Sequence, residues 1–320
     1  MVCRCGYCRK NTVFSLTHLD FAQEPYVLML HDFWSERLIL CIPFLYCCFL
    51  ISSAMKVLAF FLDCRLLGLL FLLSFTACER IVETLPQADL AYYPIEEGRY
   101  KIYQIDSLVY DEFLCTVVPI RFQVKEVTGA AIVDGEGATA HRVQRYQRET
   151  ETDPWVLTGI WTEKFEDQQI QRVEDNQRLI KVVFPIQEGK NWDGIVYIRR
   201  DTLVPIRGGA IDLYKDWDDF EYGRVDQMYI DTFQNKVYDE AVVVTQVDKE
   251  NNIEYRYSTE VYAKGIGLVY KEMQILDTQC RIPRCTGQSD ILSCIGTPWH
   301  LKAEKGFILK QSLLEHNYPL

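Results

Sequence analysis

Apolar and polar positions alternate with period two along much of the chain beyond about residue 90. Ile120, Phe122 and Val124 alternate with Arg121, Gln123 and Lys125. Ile253, Tyr255, Tyr257, Thr259 and Val261 alternate with Glu254, Arg256, Ser258 and Glu260. That period places the two sets on opposite faces of a β-strand. Further runs rich in Val, Ile, Tyr and Trp lie at 155–165, 178–184, 194–199, 241–248 and 267–275. Asp248 to Asn252 and Lys264-Gly265 separate consecutive runs at hairpin length. Residues 306–315 read as a last strand rather than a short helix, because Gly306-Phe307-Ile308-Leu309 is short and starts at glycine. The pattern predicts a mainly β protein of antiparallel meanders and hairpins.

One motif occurs twice. Tyr93-Pro94-Ile95-Glu96-Glu97-Gly98-Arg99 reappears as Phe184-Pro185-Ile186-Gln187-Glu188-Gly189-Lys190. Proline fixes φ and glycine permits a positive φ, so the motif suits a tight corner feeding a strand, here 100–105 and 194–199. Two tandem β units, 91–183 and 184–277, would follow, packed as a sandwich or a curved half-barrel. One continuous sheet that uses the corner twice fits equally well. Residues 278–320 form a Cys-containing C-terminal loop and the final strand.

The front of the chain follows another pattern. Residues 39–54 are apolar, and a second run from Met55-Lys56 resumes after Asp63 and Arg65 as Leu66 to Leu73. From Met55, Lys56 and Arg65 form a basic start, and Leu66 to Ser74 a short apolar core. Phe75-Thr76-Ala77-Cys78 then has the form of a lipobox, departing from the commoner pattern only in Phe75. Thr76 and Ala77 are small enough for a peptidase to reach the bond before Cys78, whose thiol would take the diacylglycerol and, with it, palmitate. Residues 66–76 are too short to span a bilayer, which takes about 20 apolar residues; residues 39–62 are long enough. The preferred division is a lipoprotein signal peptide at 55–77, a tether at 78–90, and an extension at 1–54 that is mis-called or unstructured. Cys3-Arg4-Cys5-Gly6-Tyr7-Cys8 lacks a second ligand pair at zinc spacing.

Composition sharpens this picture. The chain has a formal charge of −11 with 34 basic and 45 acidic residues. Residues 1–77 hold six and five of these, so the remainder carries 34 − 6 = 28 against 45 − 5 = 40, a net of −12. Such a balance repels phosphate backbones and makes nucleic acid a poor partner. Beyond Cys78 four cysteines remain: Cys115, Cys280, Cys285 and Cys294. In an oxidising envelope they are disulfide candidates. At least one bridge is expected within 280–294, with Cys285–Cys294 and Cys280–Cys285 equally admissible and Cys115 taking what is left.

Tyr93-Pro94-Ile95-x-x-Gly98-x-Tyr100-x-x-Tyr103-x-Ile105-Asp106-Ser107 behind a lipobox resembles uncharacterised cell-envelope lipoproteins of Gram-negative bacteria. Phe184-Pro185-Ile186 with Gly189-x-x-Trp192-Asp193-Gly194, and Lys264-Gly265-Ile266-Gly267-Leu268-Val269, resemble the same group. The likeness covers most of 91–276. It implies a lipid-anchored β-rich domain in the envelope, at the outer membrane, and brings no active site with it.

Catalytic chemistry finds no motif. His141, His300 and His316 form no pair at metal-ligand spacing. Glycine-rich phosphate loops and nucleophile elbows are missing from the sequence. Cys115 with His141 is the only loose nucleophile–base candidate. The acidic stretch Asp216 to Glu221 and the series Asp248/Glu250/Asn252 both lack the glycine of a calcium loop. Trp155, Trp161, Trp192, Trp217 and Trp299 suit a core better than a sugar platform. No residue is assigned a catalytic, metal or cofactor role. The leading expectation is a non-enzymatic binding or structural module, tied to the membrane through Cys78, with a protein, glycan or apolar ligand as partner. The alternatives are a periplasmic carrier of an apolar ligand and a glycan-active enzyme.

Overall fold

The structure, a computed structural model, describes residues 87–319. The segments expected as N-terminal extension (1–54) and signal peptide (55–77), Cys78 and most of the expected tether lie outside the described residues. The last tether residues form a short helix, α1 (Gln87–Leu90), and the chain then enters β1 (Tyr100–Asp111). Five further strands follow as hairpins: β2 (Thr116–Val133), β3 (Thr139–Arg148), β4 (Val156–Glu166), β5 (Gln169–Glu174) and β6 (Gln177–Val183). Two-residue β7 (Asn191–Trp192) leads through the small β8–β9 hairpin (Leu203–Ile206, Gly209–Asp212) to β10 (Phe220–Tyr222), β11 (Gln227–Asp231) and β12 (Lys236–Glu250). Then come β13 (Glu254–Ala263), β14 (Gly267–Asp277) and a cap made of hairpin β15–β16 (Arg281–Ile282, Gln288–Ser289), α2 (Ile291–Cys294) and α3 (Trp299–Lys302). The last strand is β17 (Lys305–His316).

All but four of these strands join one antiparallel sheet of 13 strands, ordered β6-β5-β4-β3-β2-β1-β17-β14-β13-β12-β10-β7, with β11 on β12. Around that path two meanders run in chain order and meet where β1 pairs with β17, from Lys101 opposite His316 to Tyr110 opposite Gly306. The sheet curves until its edges nearly touch, in a barrel-like form. Across the remaining gap Ile180 N donates to Gly194 O at 2.9 Å, and Trp192 Nε1 donates to Ile180 O at 2.9 Å. The Tyr222 hydroxyl bridges the same seam, accepting from Val183 N and donating to Val183 O.

The glycine end of the repeated motif makes the same turn twice, although only the second copy has a cis proline, at Phe184-Pro185. Gly98 N donates to Thr128 O at 2.8 Å and Thr128 N to Arg99 O at 2.9 Å; Gly189 N donates to Tyr222 O at 2.9 Å and Tyr222 N to Lys190 O at 3.0 Å. Both glycines have positive φ, 81° and 73°, which a side chain would resist. The corners precede β1 and β7, the first strands of the two meanders. The second meander reaches past residue 277 to include β17. The strand expected at 194–199 is instead a series of turns, with Asp193 Oδ1 accepting from Ile195 N and Ile198 N donating to Ile195 O. A local cap thus outcompetes β-propensity there.

A ring of about eight strands is just filled by ordinary side chains, so this longer circuit needs larger ones. Rings fill one part: Trp192, Trp217, Phe220, Tyr214 and Tyr222 are buried together, with Trp192 and Tyr222 centroids 4.5 Å apart. Tyr103, Ile105, Val124, Val261, Val269 and Leu313 belong to a second cluster beside the β1–β17 seam. The segment after α1 fastens across the barrel. Asp89 Oδ2 accepts from Ile186 N, Ala91 O accepts from Gly265 N, and Tyr92 donates to Asp226. Tyr93 is buried, its hydroxyl donating to Glu163 at 3.1 Å.

Candidate functional site

The interior between the two apolar clusters is charged. Strand register sets charges of opposite sign side by side: Lys101 opposite Glu126 and Glu126 opposite Arg145, Glu163 opposite Arg172, Glu260 opposite Lys271. Lys101, Glu126, Glu163, Arg172, Lys181 and Glu260 are all buried, Glu260 completely. On β13 the polar set Arg256, Ser258 and Glu260 is buried throughout, whereas the alternate set is buried only at Thr259 and Val261, with Tyr255 and Tyr257 half-buried and Ile253 exposed.

Arg172 is the hub. Its guanidinium reaches Glu126 at 2.7 Å, Glu174 at 3.0 Å and Glu163 at 3.4 Å, and donates to the Tyr93 hydroxyl at 3.4 Å. Lys181 continues the network, 3.9 Å from Glu174 and hydrogen-bonded to Glu260. Glu260 also accepts from Tyr262 at 2.6 Å and lies 3.4 Å from Lys271. Trp161 stacks under two cations, with Arg145 at 4.5 Å and Arg172 at 5.0 Å from its ring centre. Lys101 is set apart. Its ammonium donates to Ile266 O at 3.4 Å and lies 5.2 Å from the Tyr318 ring centre.

These contacts decide the protonation states. Burial alone would raise the carboxyl of Glu174, but Lys181, Lys271 and Arg172 together hold it down at about 2. Glu126 is lowered against its burial by Arg172 and Arg145, and Glu260 by Lys181 and Lys271. Burial pushes the Tyr93 and Tyr262 hydroxyls well up and lowers Lys101. A general acid needs a raised carboxyl, which none of these three glutamates has. The cavity left among them is about 110 Å³, walled by Tyr93, Trp161, Arg172, Lys181, Glu260 and Lys271 among others. That is room for a few waters, each occupying about 30 Å³ of liquid, and far below the roughly 300–1,000 Å³ of small-molecule pockets. Larger hollows are open grooves outside, such as the 520 Å³ groove between Phe233 and the outer sides of Leu108, Ile120 and Ile308.

The remaining sequence candidates separate. Cys280 and Cys294 are disulfide-bonded with Cα atoms 5.5 Å apart. This pairing replaces both Cys285–Cys294 and Cys280–Cys285. Hairpin β15–β16 puts Cys280 at its base, where Asp290 N donates to Cys280 O, and carries Cys285 out toward its turn; α2 then returns Cys294 to Cys280. Cys115 and His141 sit at opposite ends of β2, and His141 Nδ1 contacts Gly129 O at 3.2 Å. The acidic stretch forms a corner in which Trp217 and Phe220 are buried and Asp218 pairs with Lys249 at 2.6 Å. Among the described residues no group of three or more His, Cys, Asp or Glu is placed to hold a metal ion, and no helix is long and apolar enough to cross a membrane. Even spacing puts Arg172 and Glu174 on one face of β5 and Arg256 and Glu260 on one face of β13, but that spacing does not say which face is inward.

Comparison of the chain with family models, with curated proteins and with solved structures finds no match in any of the three.

Proposed function

We propose that this is a lipid-anchored cell-envelope protein whose barrel is a rigid, non-enzymatic module that binds partners on its outer surface and loops. The lipobox at Cys78 and the resemblance to Gram-negative envelope lipoproteins support the anchor. The observation that carries the rest is the filled ionic interior. A carrier of an apolar ligand needs a roomy apolar cavity, and this barrel encloses about 110 Å³ among charged side chains. A glycan hydrolase needs one carboxylic acid held protonated, whereas Glu126, Glu174 and Glu260 are all held ionised. The outward sides of β2 and β3 carry exposed Arg121 and Arg142, which disfavours a lipid-spanning barrel.

Native mass spectrometry of the protein isolated from its own envelope tests this reading. The expected result is a diacylglycerol-bearing N-terminus at Cys78 and no stoichiometric apolar ligand. A lipid retained one-to-one by the folded barrel, in addition to the anchor, would overturn the module reading in favour of a carrier.

A further inference from the structure

The C-terminal cap buries little apolar surface of its own. Ile291, Leu292, Ile295 and Leu301 are all exposed, Leu292 at 79%. Polar contacts join it to the end of the barrel. Gln279 Nε2 and Arg281 Nη2 each reach Glu112 Oε1 at 3.4 Å, and the Arg284 guanidinium lies 5.3 Å from the Tyr110 ring centre. Tyr110 and Glu112 lie where β1 turns toward Cys115, and Arg284 immediately precedes Cys285. The contacts therefore bring together two turns that each carry a free thiol: Cys115 Sγ donates to Glu112 O at 3.7 Å, and the neighbouring Cys115 is among the causes that raise Cys285. Both residues have left-handed backbone, with φ of 54° and 63°, as does the bridged Cys280 at 56°. Glycine or asparagine suits such positions better, so turn geometry does not account for cysteine at either.

We propose that Cys115 and Cys285 form a second disulfide, which clamps the cap onto the β1–β2 turn. The oxidant is a small-molecule or protein disulfide. One cysteine thiolate attacks it, giving a mixed disulfide and expelling one thiol. The other cysteine thiolate then attacks the protein sulfur of that bond, and the second thiol leaves. Two protein thiols lose two protons and two electrons, and one external disulfide becomes two thiols. Burial and the adjacent Cys115 thiol push Cys285 up to about 12, so closure at neutral pH is slow and accelerates as pH rises. The bond would fix a cap that has no core of its own, the situation in which disulfides commonly serve small exported segments.

The test uses the full chain, purified without reductant and incubated with oxidised glutathione. Free thiols are alkylated and the unreduced digest is mapped by mass. The expected result is a peptide pair joining Cys115 to Cys285 beside the Cys280–Cys294 pair. Alkylation of both Cys115 and Cys285, or a stable glutathione adduct on either without closure, would overturn the proposal. In Cys115→Ser, Cys285 should become fully reactive to alkylation or glutathione while Cys280–Cys294 stays closed. Protection of Cys285 from both reagents in that variant would equally overturn it. Because glutathione supplies the oxidant, the outcome is independent of where the cell keeps the protein.

Discussion

Lys181 on β6 donates to Glu260 on β13 through the barrel interior, joining residues 79 apart in the chain. With Glu174 between Lys181 and Arg172, the contact ties the ionic set of the first meander to that of the second. Buried ion pairs contribute little net stability over apolar replacements, but removal of one partner leaves an uncompensated charge. The network therefore specifies which strands face one another across the interior more than it strengthens their contact.

Arg172→Met should be strongly destabilising, because it leaves Glu126, Glu163 and Glu174 facing one another without their shared cation. A loss of about 3–5 kcal/mol is expected from urea unfolding. A midpoint within about 1 kcal/mol of the parent, the range of exposed pairs, would show that the network is not held as described.

Stability should fall in acid. Glu126, Glu174 and Glu260 have carboxyls lowered in the folded protein, so their contribution is complete above the ordinary glutamate value of about 4.3 and is lost as pH falls through the folded values. For Glu174 the loss runs down to about 2. Urea midpoints measured from pH 7 to pH 2 should drop steeply below about pH 4.3, and less steeply in a Glu174→Gln variant.

Gly306→Ala should prevent normal folding. Gly306 stands at the start of β17, opposite both Tyr110 and Leu276, with φ of 113°, and a Cβ there would lie 1.9 Å from Ile275 O. Because backbone would have to move at the seam of the two meanders, a loss of about 3 kcal/mol or more is expected. Circular dichroism and urea unfolding of the variant would read it, and parent-like unfolding would contradict the seam geometry.

Glu304→Ala should loosen the cap and spare the barrel. Buried Glu304 accepts from Thr278 Oγ1, Gln279 N and Arg281 N at 3.0–3.1 Å, and from Arg281 Nε. Loss of these acceptors costs about 1–3 kcal/mol locally. Hydrogen exchange should accelerate across 278–302 and stay unchanged in β1–β6.

Cys78→Ser should abolish incorporation of labelled palmitate and leave the signal segment uncleaved. Palmitate uptake at mature size in that variant would remove the anchor from the proposed function.

The mainly β, antiparallel character was legible in the sequence because period-two alternation and turn residues are local signals. Strands β1, β2, β4, β6, β12, β13, β14 and β17 followed from it, though not β3, β5 or the short strands, and so did both Pro/Gly corners, whose hydrogen bonds repeat in kind at Thr128 and Tyr222. What only the tertiary structure decided was which face of each strand is inside. Alternation in β13 distinguishes two faces without saying which looks inward, and curvature into a near-closed ring turned Arg256, Ser258 and Glu260 to the interior. The ionic set was illegible for the same reason. Arg172 meets Glu126, and Lys181 meets Glu260, only after strands distant in the chain close on one another. Cysteine pairing was likewise beyond spacing, since one short hairpin carried Cys285 away from Cys280 and α2 brought Cys294 to it. Local chemistry determines strands and turns; the sense of a face and the partners of a buried charge are set by closure of the sheet.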